Sequence, residues 1–367
     1  MMDVATTNQD VLTIKRGQAG CLRLNRPRAL NSLNRQMVRD MASALVDWRD
    51  DPEVRIILID HAAQPDGDGK LSRGFCAGGD VVDIANSVDG AEAAARAFFF
   101  DEYRLNHLEY TYPKPGVAFM DGVTMGGGVG IACPCRYRVA TERTILAMPE
   151  TTIGLFPDVG GGRYLSRLRG RLAQFLALTG ARLNGAECFR LRLATHYLPS
   201  DRLEEAKERI AAQPFRVEAI LDELSANNVP EARIMGNLAK IDRYFASDRL
   251  EEILASLDAG AAEGDLWCAK EAATVRTKSP MACKVSLKLL VESPYQLHFV
   301  DEMRMEYGIM VRMIHHPDFR EGVRALLIDK DGKPNWRPTN PAVIGDAEVA
   351  AFFEPLPIEE QWRPFDF

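Results

Sequence analysis

Two carboxylates, Glu150 and Asp158, are the residues of this chain whose type and spacing best fit acid–base or nucleophilic chemistry. They flank the apolar bend IGLFP, which can fold back and bring both carboxyl groups into one pocket. Two acids in a cleft of low dielectric raise each other's pKa, so that one can act as base or nucleophile while the other orients or donates. The competing interpretation is structural, because Asp before a glycine-rich turn is a common helix cap and Glu150 could cap a helix as well.

Three glycine-dense turns lie in the same part of the chain, each with a carboxylate close by. The first turn places Gly79 before Asp80 and the helix-like run VVDIAN, and the second, MGGGVGIA, places Gly127 near the start of a small-residue helix. Free amides at helix N-termini attract negative charge, so two of them converging on one carbonyl oxygen would form an oxyanion hole. Tight turns that bind nothing would produce the same glycine pattern.

The segments RGFCAGGD, MGGGVG and MPETTIGLFPDVGG together resemble the crotonase, or enoyl-CoA hydratase/isomerase, superfamily. The resemblance runs from RPRALNSLN near the start to EGVRALLIDKDGKPNW near the end, and the pair Glu150 and Asp158 is its most specific part. It implies an α/β fold with a crotonase-like spiral of ββα turns. It also implies an acyl-CoA thioester whose carbonyl oxygen is bound by the amides of Gly79 and Gly127.

Within the superfamily the carboxylate pair resembles the thioester-hydrolase branch. The resemblance implies that Glu150 acts on the thioester carbonyl, that Asp158 contacts the substrate hydroxyl or the leaving thiol, and that Glu102 helps to hold the acyl group. Whether Glu150 attacks directly or activates water stays open. The expected reaction is hydrolysis of a short branched hydroxyacyl-CoA, with 3-hydroxyisobutyryl-CoA of valine breakdown as the expected substrate. The acyl preference itself depends on pocket shape, which the sequence does not give.

Further binding residues follow from the same resemblance. The loop RPRALNSLN lines the CoA nucleotide in the superfamily, which makes Arg26, Ala29 and Leu30 candidate contacts, although a solvated turn would carry the same residues. Ala77 and Asp80, which flank Gly79 in the first glycine turn, are further candidates. Since CoA is part of the substrate, no cofactor is expected.

The role of Glu102 has a structural alternative. The residue lies among aromatic residues in AFFFDEYRL, where an unpaired carboxylate is costly to bury. A surface ion pair with Arg104 or a neighbour would avoid that cost.

Two other functions stay open beside hydrolysis. Enoyl-CoA hydratases and isomerases share the scaffold, but hydratases of the family carry a second glutamate where this chain has Gly130, and generally a small residue where it has Asp158. A non-catalytic CoA-binding or assembly protein could keep the scaffold without turnover, although both carboxylates and both glycine turns are present. A serine hydrolase is disfavoured because the chain has no G-x-S-x-G motif.

Hydrophobic patterning predicts the elements that position these residues. An opening hairpin formed by VLTIKR and CLRLN, a helix capped by Asn34, the buried strand VRIILID and a long helix over 91–110 precede the carboxylate pair. From about residue 200 onwards the pattern is overwhelmingly helical. We therefore predict a crotonase-like core with the acyl-CoA site over residues 1–199, and a helical C-terminal region over residues 200–367.

Composition limits the remaining function classes. With 46% hydrophobic and 26% charged residues the 367-residue chain has ordinary globular composition, and its net charge of -7 disfavours nucleic acid as a partner. No apolar run approaches the length of a bilayer span. Relatives in the superfamily are often trimers or built from trimers, but the hydrolase branch need not be. A homo-oligomer and a monomer therefore both stay open.

Cysteine usage and the first residues bear on the compartment. The seven cysteines are scattered, with neither zinc-binding spacing nor a disulfide framework, so a reducing compartment is the simpler interpretation and no metal is expected. The first ten residues, MMDVATTNQD, resemble neither a secretory signal nor a mitochondrial transit peptide. The expected location is the cytoplasm.

Overall fold

The computed structural model describes residues 9–62, 74–86 and 91–367. Most of the polar loop at 61–72, Arg73 and the first eight residues, on which the expected location partly rests, lie outside the described residues. The strands are β1 Val11–Arg16, β2 Ala19–Leu24, β3 Ile56–His61, β4 Gly74–Cys76, β5 Gly116–Met120, β6 Val123–Met125, β7 Tyr137–Ala140, β8 Ile145–Ala147, β9 Leu183–Asn184 and β10 His196–Tyr197.

The helices outnumber the strands and fill the second half of the chain. They are α1 Arg35–Arg49, α2 Val81–Asn86, α3 Ala91–Tyr110, α4 Gly127–Ala132, α5 Gly161–Ser166, α6 Leu172–Thr179, α7 Gly185–Arg190, α8 Leu203–Ala212, α9 Val217–Leu224, α10 Leu238–Tyr244, α11 Leu250–Ala262, α12 Leu266–Arg276, α13 Pro280–Glu292, α14 Phe299–Met313, α15 Pro317–Val323 and α16 Asp346–Ala351. The predicted mixed α/β fold, the helix over 91–110 and the helical pattern beyond residue 200 are confirmed.

The described residues group into two compact units, each assembled from three segments. The first unit comprises Met1–Gly79, Arg104–Leu146 and Arg182–Ala232, and the second comprises Asp80–Tyr103, Ala147–Ala181 and Arg233–Phe367. The boundary at residue 199 stays a prediction.

The first unit is built on a six-stranded sheet of order β1-β2-β3-β5-β7-β10. β1 and β2 form the predicted antiparallel hairpin, with Val11 opposite Leu24 and Arg16 opposite Ala19. The later strands pair in parallel. A second sheet has the order β4-β6-β8-β9, and in it β4 is parallel to β6. The short parallel strands β4 and β6 each end directly before a glycine turn.

The core of the first unit lies between the six-stranded sheet and the helices α8 and α9. Burial of this apolar face supplies the main driving force for placing the helices there. The cluster contains Ala19, Cys21, Ile56, Leu58, Val117, Phe119, Tyr137, Val139, Leu198, Leu203, Ala206, Ile210, Ala211, Val217, Ile220, Leu221 and Leu224.

The second unit is helical, and polar side chains set where several of its helices begin. Asp265 accepts from the amides at the start of α12, and Ser279 caps α13, whose first residue is Pro280. In the first unit Asn34 likewise caps α1 by accepting from the Met37 amide at 2.8 Å, as predicted. Among the described residues, no helix is both long and apolar enough to cross a membrane.

Candidate active site

The three carboxylates singled out from the sequence lie together inside the second unit. Glu150 begins a 3-10 turn, Glu150–Ile153, directly after β8; Asp158 lies in the turn before α5; and Glu102 lies in α3. Only 6%, 5% and 1% of their respective surfaces are exposed. The bend IGLFP folds back as predicted, because the Leu155 amide donates to Glu150 O at 3.0 Å.

The capping alternative for these carboxylates is wrong. The residue that precedes α5 in the cap position is Gly160, and no side chain caps that helix. The turn at Glu150 likewise has Pro149 in the cap position without a side-chain hydrogen bond. The carboxyl groups of Glu150 and Asp158 are therefore buried without a capping role.

Asp158 is held by the phenol of Tyr103. The Tyr103 hydroxyl donates to Asp158 Oδ2 at 2.9 Å, and both residues are buried. Burial raises the pKa of Asp158 to about 7, whereas the hydrogen bond from Tyr103 opposes that rise by stabilising the carboxylate. A carboxyl group that titrates near neutral pH can both accept and donate a proton during one reaction cycle.

Glu102 and Glu150 are still more strongly shifted towards the protonated acid. Burial raises the pKa of both well above the usual value, and the charge of Asp158 raises it further. Within the described part of the chain, Glu102 Oε1 and Glu150 Oε2 have no hydrogen-bond partner. The surface ion pair considered for Glu102 is therefore wrong, and its carboxyl group belongs to the same buried cluster.

The two glycine turns lie side by side in the first unit. Gly126 adopts φ 47° and ψ −119°, a conformation that residues with a side chain avoid, and α4 begins at Gly127 as predicted. Helix bonding starts later, since the amides of Val129 and Gly130 are the ones that donate to Gly126 O. Gly78 has φ 106°, and a Cβ placed on it would lie 3.6 Å from the amide nitrogen of Gly127.

Gly79 follows directly in the other turn, where it forms a bridge with Leu33. The turns are packed so closely that a Cβ on Gly128 would lie 2.3 Å from Cys76 O. The structure thus brings the backbones of the Gly79 and Gly127 turns together, as an oxyanion hole requires.

The loop proposed to contact CoA adjoins the first glycine turn. The Ala77 amide donates to Leu30 O at 3.0 Å, which places Leu30 beside Ala77. Arg26 donates from Nη1 to Ser32 O at 3.1 Å and precedes a short 3-10 turn, Pro27–Ala29. The side chain of Leu30 is 40% exposed. Asp80 is assigned to the second unit and precedes α2.

Sequence reasoning missed three side chains that contact this part of the second unit: Tyr103, Glu302 and Glu306. Glu306 accepts from the amides of Gly160 and Gly162, and both glutamates are fully buried. The signal for Tyr103 was its position beside Glu102. For α14 the signal was two acidic residues four positions apart on the otherwise apolar face of the helix, where like charges repel unless one is neutral.

The other reactive side chains carry no sign of a metal or disulfide role. All seven cysteines are free and buried. Within the described ranges, no group of three or more His, Cys, Asp or Glu side chains is arranged to hold a metal ion.

A mixed α/β fold that brings two glycine turns together and buries a carboxyl cluster defines the class of acyl-transfer scaffolds. The chain belongs to the enoyl-CoA hydratase/isomerase family, whose model matches residues 19–353. A Gallus gallus relative named 3-hydroxyisobutyryl-CoA hydrolase, mitochondrial, is 39% identical over 95% of this chain and 89% of its own length.

Two solved structures share the fold over nearly the whole chain. One, described as a carnitinyl-CoA dehydratase from Mycobacterium thermoresistibile, is 39% identical with a TM-score of 0.86, covering 95% of this chain and 97% of that one. The other, described as an enoyl-CoA hydratase from Rhodobacter sphaeroides, is 35% identical with a TM-score of 0.83, covering 97% and 100% respectively. The predicted crotonase-like fold is therefore confirmed.

Proposed function

We propose that this protein hydrolyses the thioester of 3-hydroxyisobutyryl-CoA, giving 3-hydroxyisobutyrate and free CoA in valine breakdown. The observation that carries the proposal is the buried cluster of Glu102, Glu150 and Asp158, with Asp158 bonded to Tyr103. Relatives named for this hydrolase activity, from Gallus gallus and from Homo sapiens, match 95% of the chain at 39% and 36% identity.

The glycine turns have a defined part in this proposal. The amides of Gly79 and Gly127 would donate to the thioester oxygen as it gains negative charge. One such donor is worth about 3 kcal/mol of transition-state stabilisation, because it is fixed before the reaction and needs no reorganisation. The close packing of these turns supports the assignment, since a Cβ on Gly78 would lie only 3.6 Å from the amide nitrogen of Gly127.

The carboxyl groups would complete the cleavage. Glu150 acts on the carbonyl carbon, either as a nucleophile that forms an anhydride later opened by water or as a base that takes a proton from attacking water. In both routes the C–S bond breaks and the thiolate receives a proton. Asp158, whose pKa is about 7, is suited to deliver that proton or to orient the substrate hydroxyl, and Glu102 would hold the acyl group.

The CoA end of the substrate is assigned to the loop beside the first glycine turn. Arg26, Ala29, Leu30 and Ala77 would contact the nucleotide and pantetheine, and Asp80 the region next to the thioester. The hydrogen bond from the Ala77 amide to Leu30 O supports this assignment, because it places the loop beside the first glycine turn.

Water addition to an enoyl-CoA is the alternative, and one of the two solved relatives is described as an enoyl-CoA hydratase. Against it stands Gly130, a buried residue of α4 at the position where hydratases of the family carry their second glutamate. Asp158 stands where those enzymes have a small residue. These two positions favour thioester cleavage over hydration.

A thiol-release assay separates the candidate functions. The purified protein is incubated with a panel of acyl-CoA thioesters, and free thiol and enoyl absorbance are followed together. We expect thiol release that is fastest with 3-hydroxyisobutyryl-CoA. Loss of enoyl absorbance without thiol would establish a hydratase, and neither signal would establish a non-catalytic CoA-binding protein.

Location and assembly stay predictions. We infer a cytoplasmic location from the sequence, whereas the curated relatives are named as mitochondrial proteins. A homo-oligomer remains an alternative to a monomer.

A further inference from the structure

A pair of buried glutamates on α14 contacts the turn that carries Asp158. Glu302 and Glu306 lie one helical turn apart, and both have 0% exposure. Glu306 Oε2 accepts from the Gly160 amide at 2.8 Å, and Oε1 accepts from the Gly162 amide at 3.4 Å. These hydrogen bonds connect the turn that follows Asp158 to α14, about 146 residues further along the chain.

The backbone of the Asp158–Gly160 turn is strained. Val159, between Asp158 and Gly160, has φ 54° and is 1% exposed. A β-branched side chain is rarely found in this left-handed region, and such a conformation persists only where the surrounding structure enforces it. Gly160 continues in the left-handed region with φ 85°. The hydrogen bond from the Gly160 amide to Glu306 is positioned to enforce this backbone.

The two glutamates interact electrostatically. Burial raises the pKa of Glu306 well above its usual value, and the charge of Glu302 raises it further. Burial also raises the pKa of Glu302 to about 7. Ser293 Oγ donates to Glu302 Oε1 at 2.6 Å, while Asp158, Tyr103 and Arg163 are the other ionisable groups that act on the pair.

We propose that Glu306 is a positioning residue for Asp158: it holds the Asp158–Gly160 turn through the Gly160 amide and so orients the Asp158 carboxyl towards its hydrogen bond with Tyr103. The proposal rests on the proposed hydrolysis for its effect on turnover. The hydrogen bonds between Glu306 and the turn do not depend on a substrate.

Two variants at position 306 separate the effect of losing the hydrogen-bond acceptor from the effect of changing the side chain. Glu306→Met keeps the length of the side chain and removes the acceptor, whereas Glu306→Gln keeps a carbonyl oxygen for the Gly160 amide and gives up only the longer bond to Gly162. We expect Glu306→Met to lower kcat for thiol release by about 10- to 100-fold, the loss that misplacement of a reacting group by an ångström produces. Glu306→Gln should stay within about threefold of the parent, since its oxygen preserves the bond that aims the carboxyl.

Glu109→Met supplies the matched control. Glu109 is a carboxyl residue of α3 with 9% exposure, and neither of its oxygens has a partner in the described part of the chain. The Glu109→Met variant measures how much kcat falls when a buried carboxyl group outside the Asp158 turn is removed. The proposal requires at least a tenfold larger loss of kcat in Glu306→Met than in Glu109→Met, and equal losses would overturn it.

Amide hydrogen exchange of residues 158–163, measured without substrate, tests the hydrogen bonds between Glu306 and this turn independently of catalysis. Faster exchange in Glu306→Met than in the parent and in Glu306→Gln is expected, and unchanged exchange would overturn the proposal even if no thioester were cleaved. A parent that releases no thiol would instead refute the proposed function. Should Glu306→Met fail to fold, Glu306→Asp, whose carboxyl is one methylene shorter, takes its place with the same expected directions, and parental kcat and exchange would refute the proposal.

Discussion

At the scale of single residues, the site depends on how burial and one hydrogen bond set the charge of Asp158. Burial raises the pKa of this carboxyl to about 7, and the bond from Tyr103 acts in the opposite direction. Burial and the charge of Asp158 also raise the pKa of Glu102 and of Glu150. Several buried carboxyl groups with raised pKa values in one cluster suit acid–base catalysis.

Tyr103→Phe tests this balance. The substitution removes the donor to Asp158, so the pKa of Asp158 should rise. The limb of the kcat/KM profile that reports the ionisation of Asp158 should therefore move to higher pH by about one unit, the equivalent of one hydrogen bond to a charged group. Tyr307→Phe is the control, because Tyr307 packs against Tyr103 but donates to Arg96 O. Coincident profiles for Tyr103→Phe and the parent would contradict this account.

Several residues of the candidate site could be predicted from the sequence. The types and spacing of Glu150 and Asp158 suggested chemistry, and the family resemblance favoured that interpretation over capping and added Glu102 as a candidate. Tyr103 was not identified, since a tyrosine beside aromatic residues usually belongs to a core. Its role depends on χ angles and on a partner 55 positions away, which local patterns do not determine.

At the scale of elements, two glycine turns that follow β4 and β6 bring backbone amides together. The strand–turn–helix pattern around Gly127 was predictable because only glycine tolerates such turns at this density. The pairing of β4 with β6, which places the two turns side by side, was not predictable from the sequence alone. It depends on contacts between segments about 50 residues apart, and three-residue strands carry little periodicity.

Gly128→Ala probes this packing. Its Cβ would lie 2.3 Å from Cys76 O, so one of the two turns must shift and the Gly127 amide with it. We expect kcat for thiol release to fall by about 100-fold or more, the effect of losing one oxyanion donor. Gly236→Ala is the control, since nothing lies within 4 Å of a Cβ at that position. Turnover should be measured well below the melting temperature, and a folded Gly128→Ala protein with parental kcat would refute the assignment.

At the scale of the whole molecule, the second unit draws its carboxyl cluster from distant parts of the chain. The sequence predicted the helical content beyond residue 200 but not the residues that these helices contact. The structure shows α14 contacting the turn after Asp158, and Trp362 donating from Nε1 to Phe100 O in α3 at 3.1 Å. Contacts across such separations depend on how helices pack, and helical periodicity identifies a buried face without identifying its partner.

The central claim is that Glu150 and Asp158 cleave an acyl-CoA thioester. The most direct test compares steady-state thiol release from 3-hydroxyisobutyryl-CoA by the parent, Glu150→Gln and Asp158→Asn, each shown by circular dichroism to be folded. Because each substitution keeps the size of the side chain and removes its acid–base function, kcat should fall by at least about 100-fold in both variants. Parental turnover by either folded variant would contradict the account.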